Sequence, residues 1–89
     1  MAKKRTGVKK TEPAYTPKQG QYLAFIHHYQ KLHGVAPAQA DIQKYFKVTP
    51  PTVHGMLLKL EEKRYIRRQP GVARSIEILL PEKDIPDLK

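Results

Sequence analysis

The histidines and adjacent carboxylates of this 89-residue chain are the first candidates for metal binding or catalysis. His27, His28 and His33 lie on one predicted helix, but no two are four residues apart, the spacing at which two imidazoles share a metal ion. Glu61 and Glu62 are adjacent, so on a helix they point about 100° apart and form no acid–base pair. These residues predict neither a metal site nor a catalytic pair.

Other catalytic groups are also missing from the sequence. There is no cysteine, which excludes disulfide bonds, thiolate metal ligands and a thiol nucleophile. The only serine, Ser75, has no base at a recognisable spacing, and there is no glycine-rich phosphate loop. We therefore expect a protein that is not an enzyme and that uses no cofactor.

Positive charge is the strongest compositional signal, with a net charge of +9. Residues 1–75 hold 15 Lys or Arg against 4 Asp or Glu, whereas residues 76–89 hold 2 against 4. A basic surface favours a polyanion because neutralising phosphates releases their counterions; charge that only maintains solubility is the alternative. No apolar run could span a bilayer and no secretory signal is present, so we expect a cytoplasmic, nucleoid-associated protein with no membrane partner.

A capping box begins the first predicted helix, over residues 17–32. Thr16 is a good N-cap, Pro17 suits the first helical position and Gln19 completes the box. Gly34 supplies a left-handed end. Five aromatic side chains are expected to pack in the core rather than to stack on single-stranded bases. They are Tyr22, Phe25, Tyr29, Tyr45 and Tyr65.

A helix pair and a hairpin are predicted next. A short helix is expected over residues 39–46, and a third helix begins at Pro50, after the N-cap Thr49, and ends near Lys63. The turn residues Gln69–Ala73 then separate two short extended segments, which predicts a β-hairpin. This order is that of a winged helix-turn-helix, a mainly α (α+β) fold of three helices with a C-terminal β-hairpin wing.

The expected organisation has three parts: a disordered basic arm over residues 1–14, the winged-helix domain over 15–80 and an acidic flexible tail over 81–89. The arm either follows a groove of DNA or stays solvated. A single small domain binds a half-site with modest affinity, so a homodimer or a partner protein on the DNA is expected.

The third helix is the candidate recognition helix, because the second helix of such a pair enters the major groove with its N-terminal residues nearest the bases. The free N–H groups of its first turn are expected to attract phosphate. Gly55 either lets the backbone approach the groove or is a tolerated defect, and Leu58 faces either a thymine methyl or a protein partner. Candidate contacts on this helix are Thr49, Pro51, Thr52, His54, Gly55 and Lys59.

The wing supplies a second set of candidate contacts. Three arginines bracket its turn, and we expect their guanidinium groups to lie close together at the tip, on the DNA backbone or in a minor groove. A solvated hairpin with incidental charge is the alternative. Expected backbone contacts are Lys18, Lys47, Arg67, Arg68 and Arg74.

Residues 15–80 resemble the N-terminal DNA-binding domain of LexA-type SOS repressors. The block "LEEKRYIRRQPGVARSI" over residues 60–76 carries the resemblance most strongly. Further shared marks are Thr16, Pro17, Gln19, Gly34, Pro37, Asp41, Ile42, Thr52, Val53 and His54. The resemblance implies a repressor that binds operator DNA through the recognition helix and the wing. Its implied contacts are Thr49, Thr52, His54, Lys59, Arg67, Arg68 and Arg74.

Differences between this sequence and the family pattern limit which family properties are expected of this chain. Family members continue into a self-cleaving domain with a Ser–Lys dyad that also forms the dimer, and this chain ends at Lys89. Ala38 stands where the family commonly has a Thr or Ser cap, and Lys47 stands where it commonly has a glycine. The basic or polar residue that is usual near Gly55 is missing. The operator is therefore expected to differ. A protein-interaction module with degenerate DNA binding, or a binder of structured RNA, are the alternatives.

Overall fold

The computed structural model describes residues 14–89, so residues 1–13 of the predicted basic arm lie outside the described part. Three α-helices precede a two-stranded antiparallel hairpin and a short 3-10 helix. The elements are α1 (Pro17–His33), α2 (Gln39–Phe46), α3 (Pro50–Glu62), β1 (Ile66–Arg67), β2 (Glu77–Ile78) and the 3-10 helix Glu82–Asp84. This order confirms the predicted winged helix-turn-helix.

The sequence signals at the ends of α1 are confirmed. Thr16 Oγ1 accepts a hydrogen bond from Gln19 N–H at 3.1 Å, and Gln19 Oε1 accepts one from Thr16 N–H at 3.0 Å. These two bonds satisfy N–H groups that have no partner within the helix. Gly34 ends α1 with a φ of 76°, in the left-handed region that glycine adopts without steric cost.

The core explains why α1 is buried on more than one side. Residues 22–26 are all buried, and five consecutive residues of an α-helix span more than one full turn. Leu23, Ile42 and Leu57 are fully buried in one cluster contributed by the three helices. Leu80 and Leu88 pack against the same cluster from beyond the hairpin. The chain after β2 therefore covers a side of α1 that the helices leave open.

The hairpin has two short strands of two residues each. Ile66 lies opposite Ile78, and Arg67 lies opposite Glu77. Ile66 is buried whereas Arg67 is exposed, which is the alternation of a strand that packs one face on a core. This register holds the wing against the helices through its isoleucines.

Residues 81–89 lie along α1, which differs from the flexible tail expected from composition. Tyr15 Oη donates to Asp84 O at 2.7 Å, and Gln21 Oε1 accepts from Lys89 N–H at 2.8 Å. These bonds and the apolar contact of Leu88 with the core give the segment tertiary contacts. Within residues 14–89, no helix is both long and apolar enough to cross a membrane.

Candidate nucleic-acid interface

The helix α3 has one buried face and one open face. Val53, Leu57 and Leu60 are fully buried in the core. The opposite face is exposed apart from the half-buried Gly55, and it contains Pro51, Thr52, His54, Leu58 and Lys59. A β-carbon at position 55 would meet nothing within 4 Å, so this part of the helix surface is open to a ligand.

The first turn of α3 has a different hydrogen-bond pattern from the expected one. Thr49 has the extended backbone of an N-cap, but its Oγ1 lies 3.0 Å from Thr52 Oγ1 and does not cap an N–H group. The N–H groups of Thr52 and Val53 donate to Thr49 O at 3.0 and 3.2 Å. Pro50 and Pro51 have no N–H at all. The expectation that free N–H groups in this turn attract phosphate is therefore wrong.

Two wing arginines pair with carboxylates on different elements. Arg67 Nε lies 2.8 Å from Glu77 Oε1 on the facing strand, and 70% of the arginine side chain is exposed. Arg68 Nε lies 3.0 Å from Glu61 Oε1 on α3, and only 15% of its side chain is exposed. A pair as exposed as the first contributes about 0–1 kcal/mol, so Arg67 can exchange Glu77 for a phosphate. Arg68 instead holds the hairpin on α3.

Arg74 crosses to the helices on the other side of the wing. Its Nη1 donates to Tyr29 Oη at 3.1 Å and to Ala36 O at 3.3 Å, and it lies 3.2 Å from Asp41 Oδ2. Its φ of 56° is in the left-handed region, where a side chain is disfavoured without compensating contacts. The three guanidinium groups thus have separate partners on separate elements.

Asp41 joins the start of α2 to the wing. Its Oδ2 accepts a hydrogen bond from Ala38 N–H at 2.8 Å and pairs with Arg74. The N–H of Ala38, followed by the charge of Arg74, holds the pKa of Asp41 below its ordinary value. Because Ala38 has no side-chain cap to offer, Asp41 is the polar side chain that secures this helix end.

Sequence reasoning missed Ser75 as an element of the wing. Its Oγ accepts from Gln69 N–H at 2.9 Å and donates to Val72 O at 2.8 Å, which closes the turn. Tyr29, Asp41 and Glu61 were also missed, as partners of the arginines. The only signal for Ser75 is its position beside a Pro-Gly turn, where hydroxyls commonly bond the backbone.

The three candidate lysines differ in the contacts of their side chains. Lys47 and Lys59 are exposed, and neither has an ion-pair partner among residues 14–89. Lys47 ends α2 with a φ of 55° and so stands between the two helices of the helix-turn-helix. Lys18 Nζ lies 6.0 Å from the ring centroid of Phe46, a cation–π distance that leaves its charge accessible.

A cleft of about 600 Å³ separates α3 from the wing. His54 and Leu58 line it from α3, Val72 lines it from the wing, and Ala38 lines it from the start of α2. Within residues 14–75 there are 10 Lys or Arg against 3 Asp or Glu, a net of +7. Glu61, which lines the cleft, and Asp41, at the start of α2, are already paired with arginines. The surface around the cleft is therefore suited to a polyanion.

Comparisons with known proteins agree with this geometry. A family model described as the LexA DNA binding domain matches residues 13–75. The chain is 40% identical to the LexA repressor of Thermosipho melanesiensis over 70 residues, which cover 79% of this chain and 35% of that repressor. It is 41% identical to the LexA repressor of Moorella thermoacetica over 71 residues, with coverages of 79% and 35%. The LexA repressor of Pelotomaculum thermopropionicum is 43% identical over 65 residues, with coverages of 72% and 32%. The chain thus spans about a third of the length of these relatives.

Proposed function

Because this chain belongs to the LexA DNA-binding domain family, we propose that it binds double-stranded DNA sequence-specifically and acts as a repressor-like regulator of transcription. The observation that carries the proposal is the outer face of α3, which is exposed while the opposite face is buried in the core. In this fold α3 lies in a major groove, and the wing lies on the flanking backbone. No catalytic step is proposed for the domain.

The base contacts come from the polar side chains of the open face. The imidazole of His54 has both a donor and an acceptor when neutral, and Lys59 is a donor that suits guanine. The hydroxyl of Thr52 can bond a base edge or a phosphate, and Thr49 supports it at 3.0 Å. Pro51 and Gly55 have no polar side chain and contribute by allowing close approach.

The backbone contacts come from cations whose charge is accessible. Lys18, Lys47 and Arg67 are exposed and fit this role. Arg68 and Arg74 act mainly by positioning, since the first holds the wing on α3 and the second holds it on α1 and α2. The wing then follows the DNA backbone as a supported element rather than as a free loop.

Assembly and location follow from the proposed function. One small domain contacts one half-site, so a second copy or a partner protein on the DNA supplies the affinity that a regulator needs. A protein that acts on the chromosome lies in the cytoplasm with the nucleoid. The exposed apolar side chains Leu58 and Val72 favour a second candidate function, a protein-interaction module that retains the fold.

Selection from a library of random duplex DNA tests the proposal. We expect bound fragments to be enriched in one short motif, and an unlabelled duplex with that motif to compete better than a scrambled duplex of equal length. Competition with structured RNA of equal charge should be weaker. Absence of an enriched motif, together with equal displacement of the bound DNA by any duplex, would favour the protein-interaction module. Stronger competition by RNA would favour an RNA-binding protein.

A further inference from the structure

The side chain of Leu58 is exposed on the open face of α3, within the proposed DNA interface. Six large apolar side chains are exposed among the described residues: Leu32, Val35, Tyr45, Leu58, Val72 and Leu79. Leu58 is the one that lies on α3, where 49% of it is exposed and it lines the cleft towards the wing. A leucine in this position needs an apolar partner to contribute to binding.

The open face of α3 has few groups that could distinguish bases by hydrogen bonds. Pro51 has no N–H, Gly55 has no side chain, and the hydroxyl of Thr52 is within hydrogen-bond distance of Thr49. Of the side chains from Pro51 to Lys59 on this face, His54 and Lys59 retain their full hydrogen-bonding capacity towards a base. Apolar contact by Leu58 can therefore add to the specificity that these two hydrogen-bonding groups supply.

The backbone around Leu58 leaves room for a base edge. Gly55 precedes Leu58 by three residues, so the two positions are neighbours on the helix surface. A β-carbon at Gly55 would have nothing within 4 Å, which leaves the space beside the leucine open. His54, four residues before Leu58, is on the same side one turn nearer the helix start. When His54 contacts one base pair, Leu58 can therefore reach the adjacent base pair.

The charge around the cleft favours DNA over an apolar protein segment. Arg68 and Arg74 line the cleft together with Glu61, which is the ion-pair partner of Arg68. Lys59, which has no ion-pair partner among residues 14–89, follows Leu58 directly on α3. A net charge of +7 over residues 14–75 matches a phosphate backbone on either side of a groove. The apolar feature that a major groove offers is the 5-methyl group of thymine.

We propose that Leu58 is a specificity-determining residue that contacts the 5-methyl group of a pyrimidine in the major groove. The inference rests on the proposed DNA-binding function. The preferred DNA sequence then has a thymine at a fixed position of the half-site. Because 5-methylcytosine carries its methyl group at the same place in the groove, it should be accepted there in preference to cytosine.

Substitution of deoxyuridine for thymidine removes only the methyl group and tests the proposal. Using the duplex recovered by selection, we expect one position per half-site at which deoxyuridine weakens binding about three- to fivefold, the effect of one buried methyl group. Leu58→Ala should abolish this difference between the two bases. Leu32→Ala, which truncates a leucine of α1 that is 66% exposed, is the matched control and should preserve the difference.

The outcomes separate this inference from the function on which it rests. Sequence-specific binding with equal affinity for all deoxyuridine duplexes would overturn the role of Leu58 and leave the proposed function intact. A thymine preference that persists in Leu58→Ala, with unchanged circular dichroism, would also overturn it. Absence of any binding to the selected duplex would reject the proposed function itself.

Discussion

Gly55 is a residue at which stability and binding make opposite demands. A glycine inside a helix destabilises it by about 1 kcal/mol relative to alanine. Nothing in the fold requires glycine there, because its surroundings are open and its φ is not positive. The packing of the domain therefore gives no reason for this glycine, whereas the proposed close approach to a groove would give one.

We predict that Gly55→Ala raises the free energy of unfolding by about 1 kcal/mol and lowers the affinity for the selected duplex. Urea unfolding and a binding titration on the same sample measure the two effects. Gly34→Ala is the contrasting variant, since a φ of 76° makes it destabilising. Higher stability with unchanged affinity would identify Gly55 as a tolerated defect.

The ion pairs of Arg67 and Arg68 give these neighbours different roles. We predict that Arg67→Gln weakens DNA binding and makes its salt dependence shallower by about one unit, with little change in stability. Arg68→Gln should lower the unfolding temperature, because it leaves the partly buried Glu61 without its partner. Thermal unfolding and titrations at several salt concentrations measure both. Equal effects of the two variants on both properties would contradict the distinction.

The start of α2 depends on an ionised carboxylate. Because the pKa of Asp41 is lowered in the folded protein, its contribution to stability is present above its ordinary pKa and is lost as the pH falls through the folded value. We predict that Asp41→Asn is less stable than the parent protein at pH 7. The difference in the free energy of unfolding between them should become smaller below about pH 4. Urea unfolding of both proteins at pH 7 and at a pH below about 4 tests this. A difference in the free energy of unfolding that does not depend on pH would contradict it.

The C-terminal segment and α1 are fitted to each other at Gly20. A β-carbon there would lie 2.9 Å from Tyr15 Cε1 and 3.1 Å from Pro86 Cγ. We predict that Gly20→Ala loosens the segment, in contrast to the stabilising change at Gly55, and that the Lys89 amide exchanges hydrogen faster. Amide exchange followed by NMR measures this. Unchanged protection together with a gain in stability would show that the fit is unimportant.

The helices were predictable because their ends depend on neighbouring residues in the sequence. The Thr16 capping box and the glycine stop at Gly34 are local signals, and both operate as expected. The partners of the arginines and the packing of residues 81–89 are not local. Arg74 meets Tyr29 and Asp41 across separations of 45 and 33 residues, which no spacing rule indicates.

For the molecule as a whole, the charge distribution separates two regions. The acidic segment after residue 75 packs on α1, where Glu82 lies 3.4 Å from both His27 Nε2 and Lys31 Nζ. The excess of Lys and Arg over Asp and Glu therefore lies in the helix-turn-helix and the wing. The sequence predicted this asymmetry and the open face of α3, because both depend on composition and helical period. It did not predict which cations are occupied by ion pairs, since that depends on the fold.

The salt dependence of binding to duplex DNA tests the central claim, that the open face of α3 and its flanking cations form a DNA interface. Fluorescence anisotropy of the selected duplex should show the logarithm of the binding constant falling linearly with the logarithm of salt concentration. Combining Lys18→Gln with Lys47→Gln should reduce the slope by about two, whereas combining Lys31→Gln with Lys83→Gln should not. A flat salt response, or equal slopes for the two double variants, would contradict the account.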